Sequence, residues 1–182
     1  YPTIVHLYDN QDVFSESAML LYDDGVISSS PTQPSVRTTF VTPDWFSLLD
    51  TEMAIGRAFE QSEEKDQYNP VAILSFTAWK NEFASDANIL DKSITISGTN
   101  FRVIGVLAET FVEPQLFEAG EYTDVFLPWD FNSSSQMARE AWGMVNGSLR
   151  FVGKLDSSLN KKQVEQTLTT LVNTTWVENV AN

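Results

Sequence analysis

Ile94-Thr95-Ile96-Ser97-Gly98-Thr99-Asn100-Phe101-Arg102-Val103-Ile104-Gly105-Val106 decides the fold class. Ile94 and Ile96 alternate with polar residues, a Gly98-Thr99-Asn100 turn follows, and Phe101, Val103, Gly105 and Val106 resume the apolar pattern. Period-two alternation on both sides of a glycine-containing turn specifies an antiparallel hairpin. Upstream, Val71-Ala72-Ile73-Leu74 reads as a buried strand. Ser75 then caps a helix with Phe76, Trp79 and Phe83 at spacings of three and four. Hairpins mixed with helices, without strict strand–helix alternation, imply an α+β fold with a mixed sheet rather than a parallel α/β sheet.

Working outward, residues 1–10 read as a short helix with Pro2 in its first turn and Ile4, Val5 and Tyr8 on one face. Residues 18–22 and 26–29 suggest a hairpin about Asp23-Asp24-Gly25, residues 28–34 a polar loop, and residues 36–41 another strand. Thr42-Pro43-Asp44 starts a helix of about two turns, with Thr42 as its cap and Trp45, Phe46, Leu48 and Leu49 on its apolar side. Residues 60–69 read as a solvated acidic loop containing Glu60, Glu63, Glu64 and Asp66. Residues 125–127 form a short strand stopped by Pro128, and residues 149–155 form another. The final helix has Asn160 as cap, Gln163 in a capping box and Leu159 stapled to Val164; Leu168, Leu171 and Val172 continue its stripe.

The chain has 182 residues, long enough to bury roughly 70% of its unfolded surface. Its 11 basic and 25 acidic residues leave a formal charge of −14, which repels phosphates and argues against nucleic acid as a partner. There is no cysteine, so thiolate chemistry and disulfides are excluded. His6 is the only histidine, so zinc and copper sites of ordinary composition cannot be assembled. A Ser–His–Asp set would have to use His6, and no Gly-x-Ser-x-Gly elbow exists. Gly143 and Gly147 are isolated and no Gly-Lys-Ser/Thr follows them, so no phosphate loop is present and any ATPase lies outside this chain. Asn132, Asn146 and Asn173 begin Asn-x-Ser/Thr triplets in polar surroundings, and Trp45 and Trp79 read as core residues. No catalytic, cofactor-binding or metal-binding residue is expected.

Five segments in order resemble one family. Thr39-Phe40-Val41-Thr42-Pro43-Asp44-Trp45-Phe46 is similar to its Val–small–Pro/Gly–x–aromatic–Phe segment. Ile55-Gly56-Arg57-Ala58-Phe59 is similar to its Gly-Arg-x-Phe element, which an acidic loop follows. Val71 to Ser75 with Trp79 and Phe83 resembles its buried strand and aromatic helix. The 94–106 hairpin resembles the one that ends in Val-Ile-Gly-Val. Val125-Phe126-Leu127-Pro128 and the strand and helix at 149–171 come in the expected order. The family is the MacB-like periplasmic core domain of MacB- and FtsX-type ABC-transporter permeases. It usually has Gly where this chain has Asp50 and Asp91, so both aspartates are expected at φ > 0 at helix ends. The resemblance implies a porter-like subdomain from residues 1–42 and 106–182, with residues 43–105 as an inserted small α/β subdomain. It also implies an extracytoplasmic, periplasmic domain of a bacterial inner-membrane permease, lying between its first two membrane helices. Such a domain couples ATP hydrolysis by a separate nucleotide-binding module to export or envelope transport through mechanical transmission. A second permease copy is the implied partner, with a periplasmic adaptor in some members. Arg57 is expected to tie a loop rather than touch a ligand. A solute-binding or sensory extracytoplasmic domain is the alternative, and an envelope hydrolase using paired carboxylates stands third.

Overall fold

The computed structural model of the chain describes residues 1–114, 120, 122–142, 147–155 and 159–179. Gly143 and Asn146 lie outside the described residues. Among the described residues, eight strands form one mixed sheet and five α-helices flank it, so the fold is α+β. The strands are β1 (Phe14–Val26), β2 (Ser35–Val41), β3 (Met53–Gly56), β4 (Val71–Leu74), β5 (Ser93–Ile96), β6 (Thr99–Leu107), β7 (Val125–Pro128) and β8 (Leu149–Leu155). Their order is β3-β6-β4-β7-β2-β1-β8, with β5 also pairing β6. The helices are α1 (Pro2–Asn10), α2 (Asp44–Leu48), α3 (Phe76–Glu82), α4 (Gln136–Glu140) and α5 (Lys161–Asn179). The 94–106 hairpin forms as expected, but it turns on Ser97 and Gly98, both left-handed as a tight two-residue turn requires. Thr99 and Asn100 already belong to β6 rather than to the expected Gly98-Thr99-Asn100 turn.

β1 corrects the expected hairpin at Asp23-Asp24-Gly25. The strand runs straight through this triplet, pairing Asp23 with Thr38, Asp24 with Arg37 and Gly25 with Val36. Gly25 is there for space rather than for turning: a Cβ on it would meet Ile96 Cγ2 at 3.0 Å and Thr38 Cγ2 at 3.2 Å. The reversal comes later, where Ile27 bridges Ile96 and Ser28 N–H donates to the Thr95 carbonyl at 2.9 Å. The far end of β1 thus reaches β5, and the sheet curls back on itself.

Alternate residues feed two apolar layers, as a pleated strand buried on both faces requires. Met19, Leu21, Phe40, Leu74, Ile94, Phe101, Val103 and Leu127 share one layer; Tyr1, just before α1, packs on it with Ile4 and Val5 of α1 and Phe76 and Trp79 of α3. Leu20, Val41, Ile73, Ile104, Leu107 and Phe126 share the other, roofed by Trp45 and Phe46 of α2 and by Phe59. β6 changes phase between them. Its neighbour β4 pairs Ala72 with Val103 but Ile73 with Gly105, so Ile104 is the extra residue of a bulge. That is why Val103 and Val106 face one layer while Ile104 and Leu107 face the other.

Helix ends follow local chemistry. Ser75 Oγ accepts the Ala78 N–H at 3.1 Å, as expected of the cap. Ser75→Ala is expected to cost about 1 kcal/mol of stability, measured by denaturant titration. Thr42 departs from its expected role: its Oγ1 accepts the Met19 N–H at 3.0 Å, satisfying a buried strand donor instead of capping α2. α2 ends with Asp50 at φ 47°; the Thr51 N–H reaches the Phe46 carbonyl and the Asp50 N–H the Ser47 carbonyl, a Schellman end usually made by glycine. Asp91 is the last residue of the 3₁₀ turn Ile89–Asp91. α5 starts at Lys161 with Asn160 Oδ1 accepting the Lys162 N–H at 2.9 Å. Val164 is buried, whereas Leu168 and Leu171 are only half-buried because α5 is covered by little more than α1.

Candidate functional site

The segment 57–69, between β3 and β4, gathers more buried polar chemistry than its composition suggests. It corrects the expectation of a solvated acidic loop. Glu63 is 1% exposed. Arg57 binds it bidentately, Nη1 to Oε2 at 2.8 Å and Nη2 to Oε1 at 3.1 Å. Ser62 Oγ at 2.7 Å, Asn69 Nδ2 at 2.9 Å and the Glu60 N–H at 2.9 Å complete its donors. A buried carboxylate is tolerated only with such a complement of donors and a countercharge. Burial alone would push the Glu63 carboxyl up, but the hydrogen bonds from Arg57, Glu60 N–H and Ser62, with the Arg57 charge, hold it below its ordinary value. Arg57 therefore ties the loop, as expected of it.

The arginine is placed by a close approach of two glycines. Gly56 sits at φ +74° and pairs with Gly105 across β3 and β6. A Cβ on Gly56 would overlap the Ile104 carbonyl oxygen, and one on Gly105 would overlap the Arg57 carbonyl oxygen and Met53 Cε. With neither side chain present, the Arg57 N–H donates to the Ile104 carbonyl at 3.0 Å. The bulge on β6 and the turn into the loop are one device.

Two elements outside the loop also hold it. Tyr8 of α1 donates its hydroxyl to both Glu64 carboxylate oxygens at 3.0 Å. Burial, then the Glu64 charge, pushes the Tyr8 hydroxyl well above the ordinary tyrosine range. Lys65 Nζ lies 3.4 Å from Asp9 Oδ1 of α1. Asp130, buried in the 3₁₀ turn Trp129–Phe131, accepts the N–H groups of Asp66 and Tyr68 at 2.8 Å each. The Glu60-x-x-Glu63 spacing is a helix-start signal that could have marked Glu63. Nothing in the sequence marks Asp130 or Tyr8, whose partners are far along the chain.

A cleft of about 610 Å³ lies between α2 and this loop, lined by Glu16, Asp44, Asp50, Glu60 and Glu64 among others. Burial, with the Glu16 charge, raises the Asp44 carboxyl. A second buried carboxylate, Glu113, accepts the Thr123 N–H and hydroxyl at 2.8 Å each, and burial raises it too. Among the described residues no group of three His, Asp or Glu side chains could hold a metal ion. Arg57, Glu63, Asp130 and Tyr8 each point at another part of this chain, which makes the site an internal brace.

Solved structures share this architecture. The periplasmic region of MacB from Actinobacillus actinomycetemcomitans superposes with a TM-score of 0.66 at 18% identity, covering 95% of this chain and 72% of that one. The extracellular domain of the noncanonic ABC-type transporter YknZ from Gram-positive bacteria gives 0.65 at 15% identity, covering 95% and 81%. A domain of a putative permease from Porphyromonas gingivalis gives 0.66 at 11% identity, covering 93% and 68%. The fold is thus that of extracytoplasmic domains of membrane transporters. The MacB-like periplasmic core domain model matches residues 5–171, and this chain belongs to that family. No curated protein matches the sequence. Among the described residues no helix is long and apolar enough to cross a membrane.

Proposed function

We propose that this chain is a mechanical element of an ABC-transporter permease, transmitting motion between its membrane helices and the periplasmic side. The observation that carries this reading is the brace at residues 57–69 in a chain of this family, where buried charge is used to hold parts of the domain together. α1 and α5 pack on each other, so movement of flanking membrane helices would enter through one pair of elements. The porter-like part, residues 1–42 and 106–182, contributes β1, β2, β7 and β8, and the inserted part, residues 43–105, contributes β3, β4, β5 and nearly all of β6. The β4–β7 pairing joins them. On this reading the domain is non-catalytic and binds neither metal nor cofactor. Its partners are a cytoplasmic nucleotide-binding ATPase module and a second permease copy, with a periplasmic adaptor where the transporter uses one. The membrane is the bacterial inner membrane. Solute binding is less well supported, because the cleft beside α2 is lined by mutually repelling carboxylates.

The test is made in the intact permease. Single cysteines at exposed positions such as Val112 and Val177 are used to cross-link the two copies of the domain. Transport and transport-coupled ATP turnover should fall when the copies are locked and return with reductant. Unchanged transport in the locked state would overturn the mechanical reading, as would turnover of a substrate by the isolated domain.

A further inference from the structure

Residues 66–68 hold a backbone conformation that their side chains oppose. Asp66 sits at φ 71° and Tyr68 at φ 51°, both in the left-handed region where a Cβ is disfavoured. The Tyr68 side chain is 60% exposed, so burial of its ring does not enforce this conformation. Asp130 does. Its Oδ1 accepts the Asp66 N–H and its Oδ2 the Tyr68 N–H, both at 2.8 Å, from a residue that is itself only 7% exposed. A charged acceptor with both oxygens engaged by backbone donors makes strong, well-directed bonds.

The same segment is gripped on its other side by α1, through Tyr8 to Glu64 and Asp9 to Lys65. At its root it is gripped by Arg57, whose own N–H is bonded to β6. We infer that residues 57–69 form a strap that makes α1, the Trp129–Phe131 turn and the β3–β6 edge of the sheet move as one body. Asp130 is its clasp, a positioning residue that acts through the loop backbone. The inference deepens the mechanical reading by naming a point of coupling. Its test needs no transport, so either can fail without the other.

Residue-resolved amide hydrogen exchange on the 182-residue chain decides it. Asn offers one acceptor oxygen and no charge, so Asp130→Asn should speed exchange at Asp66 and Tyr68 at least tenfold. Exchange within α1 should rise at least threefold, while Leu20 and Ile73 in the sheet stay unchanged. Adding Asp66→Gly, which removes the left-handed penalty at that residue and leaves the edge-on contact of the Tyr68 and Phe131 rings in place, should return part of the protection to α1. The strap is overturned if the loop opens and α1 keeps its protection. It is equally overturned if Leu20 and Ile73 accelerate as much as α1, because the whole fold would then be loosening. Should Asp130→Asn fail to fold, Tyr8→Phe cuts the opposite end. Faster exchange at both α1 and residues 66–68 is then expected, and unchanged exchange at 66–68 overturns the inference.

Discussion

Substituting alanine for Gly56 is expected to lower folding stability by about 2–4 kcal/mol, the sum of a left-handed penalty of about 1 kcal/mol and an overpacking cost of about 1–3 kcal/mol. The residue sits at φ +74°, and the new methyl would overlap the Ile104 carbonyl oxygen, which belongs to backbone and cannot rotate away. The strain falls where the Arg57 N–H meets β6, so the loop that follows would be displaced as well. Gly98 is the internal control. It too is left-handed, at φ +81°, but a Cβ there meets nothing within 4 Å. Gly98→Ala should therefore show the conformational penalty alone, about 1 kcal/mol. Denaturant midpoints of the two variants check this, and equal losses at both positions would remove close approach as the explanation.

Arg57→Ala should cost about 2–4 kcal/mol, somewhat less than the 3–5 kcal/mol typical of breaking a fully buried pair, because Arg57 is 37% exposed and its charge is partly screened. The cost arises on Glu63, left as a buried carboxylate without its countercharge. Arg57→Lys keeps a charge but loses the fork, and should fall between wild type and alanine. The pH dependence has a definite sign. Glu63 is held below its ordinary value of 4.5, so its contribution is fully present above pH 4.5 and is lost as pH falls through the folded value. Without Arg57 burial wins, the carboxyl rises, and Glu63 then favours the folded state only when protonated. The gap between variant and wild type should therefore narrow as pH falls, beginning at the variant's raised value, above 4.5, and ending at the wild type's lowered one. Glu113 and Asp124, raised by burial, act oppositely, since their penalty when ionised is relieved on acidification. They are common to both proteins, so the difference curve isolates Glu63. A gap independent of pH would mean that Arg57 stabilises by packing alone.

Much of the fold was legible because its determinants are local. Ser75 caps α3 through a hydroxyl three residues from its partner, and Asn160 starts α5 through an amide oxygen two residues from its partner. Period-two alternation marked β5 and β6, and the run at Val71 to Leu74 marked a strand covered on both faces. Asp50 in a left-handed helix end followed from the resemblance, which places glycine there. β3 and α4 escaped notice. Met53–Gly56 is too short and too broken by its bulge to show a period, and Gln136–Glu140 is barely more than one turn long and buries none of its residues.

Sequence by itself, then, determined the α+β class, the identity of most strands and helices, the family, and the tie made by Arg57. Only the tertiary structure decided how those pieces are joined. Gly25 read as a turn because glycine permits turns, but crowding by Ile96 and Thr38 is what requires it. Val106 broke the alternation of β6, and only the pairing with β4 assigned the extra residue to Ile104. Glu63 looked like one acid among many until Arg57, Ser62 and Asn69 closed over it. Asp130 lies 62 and 64 residues from the two amides it holds. Periodicity and capping act over a turn or two of chain, whereas a carboxylate that clasps a distant loop depends on which strand edges meet, and that is settled by the packing of the whole sheet.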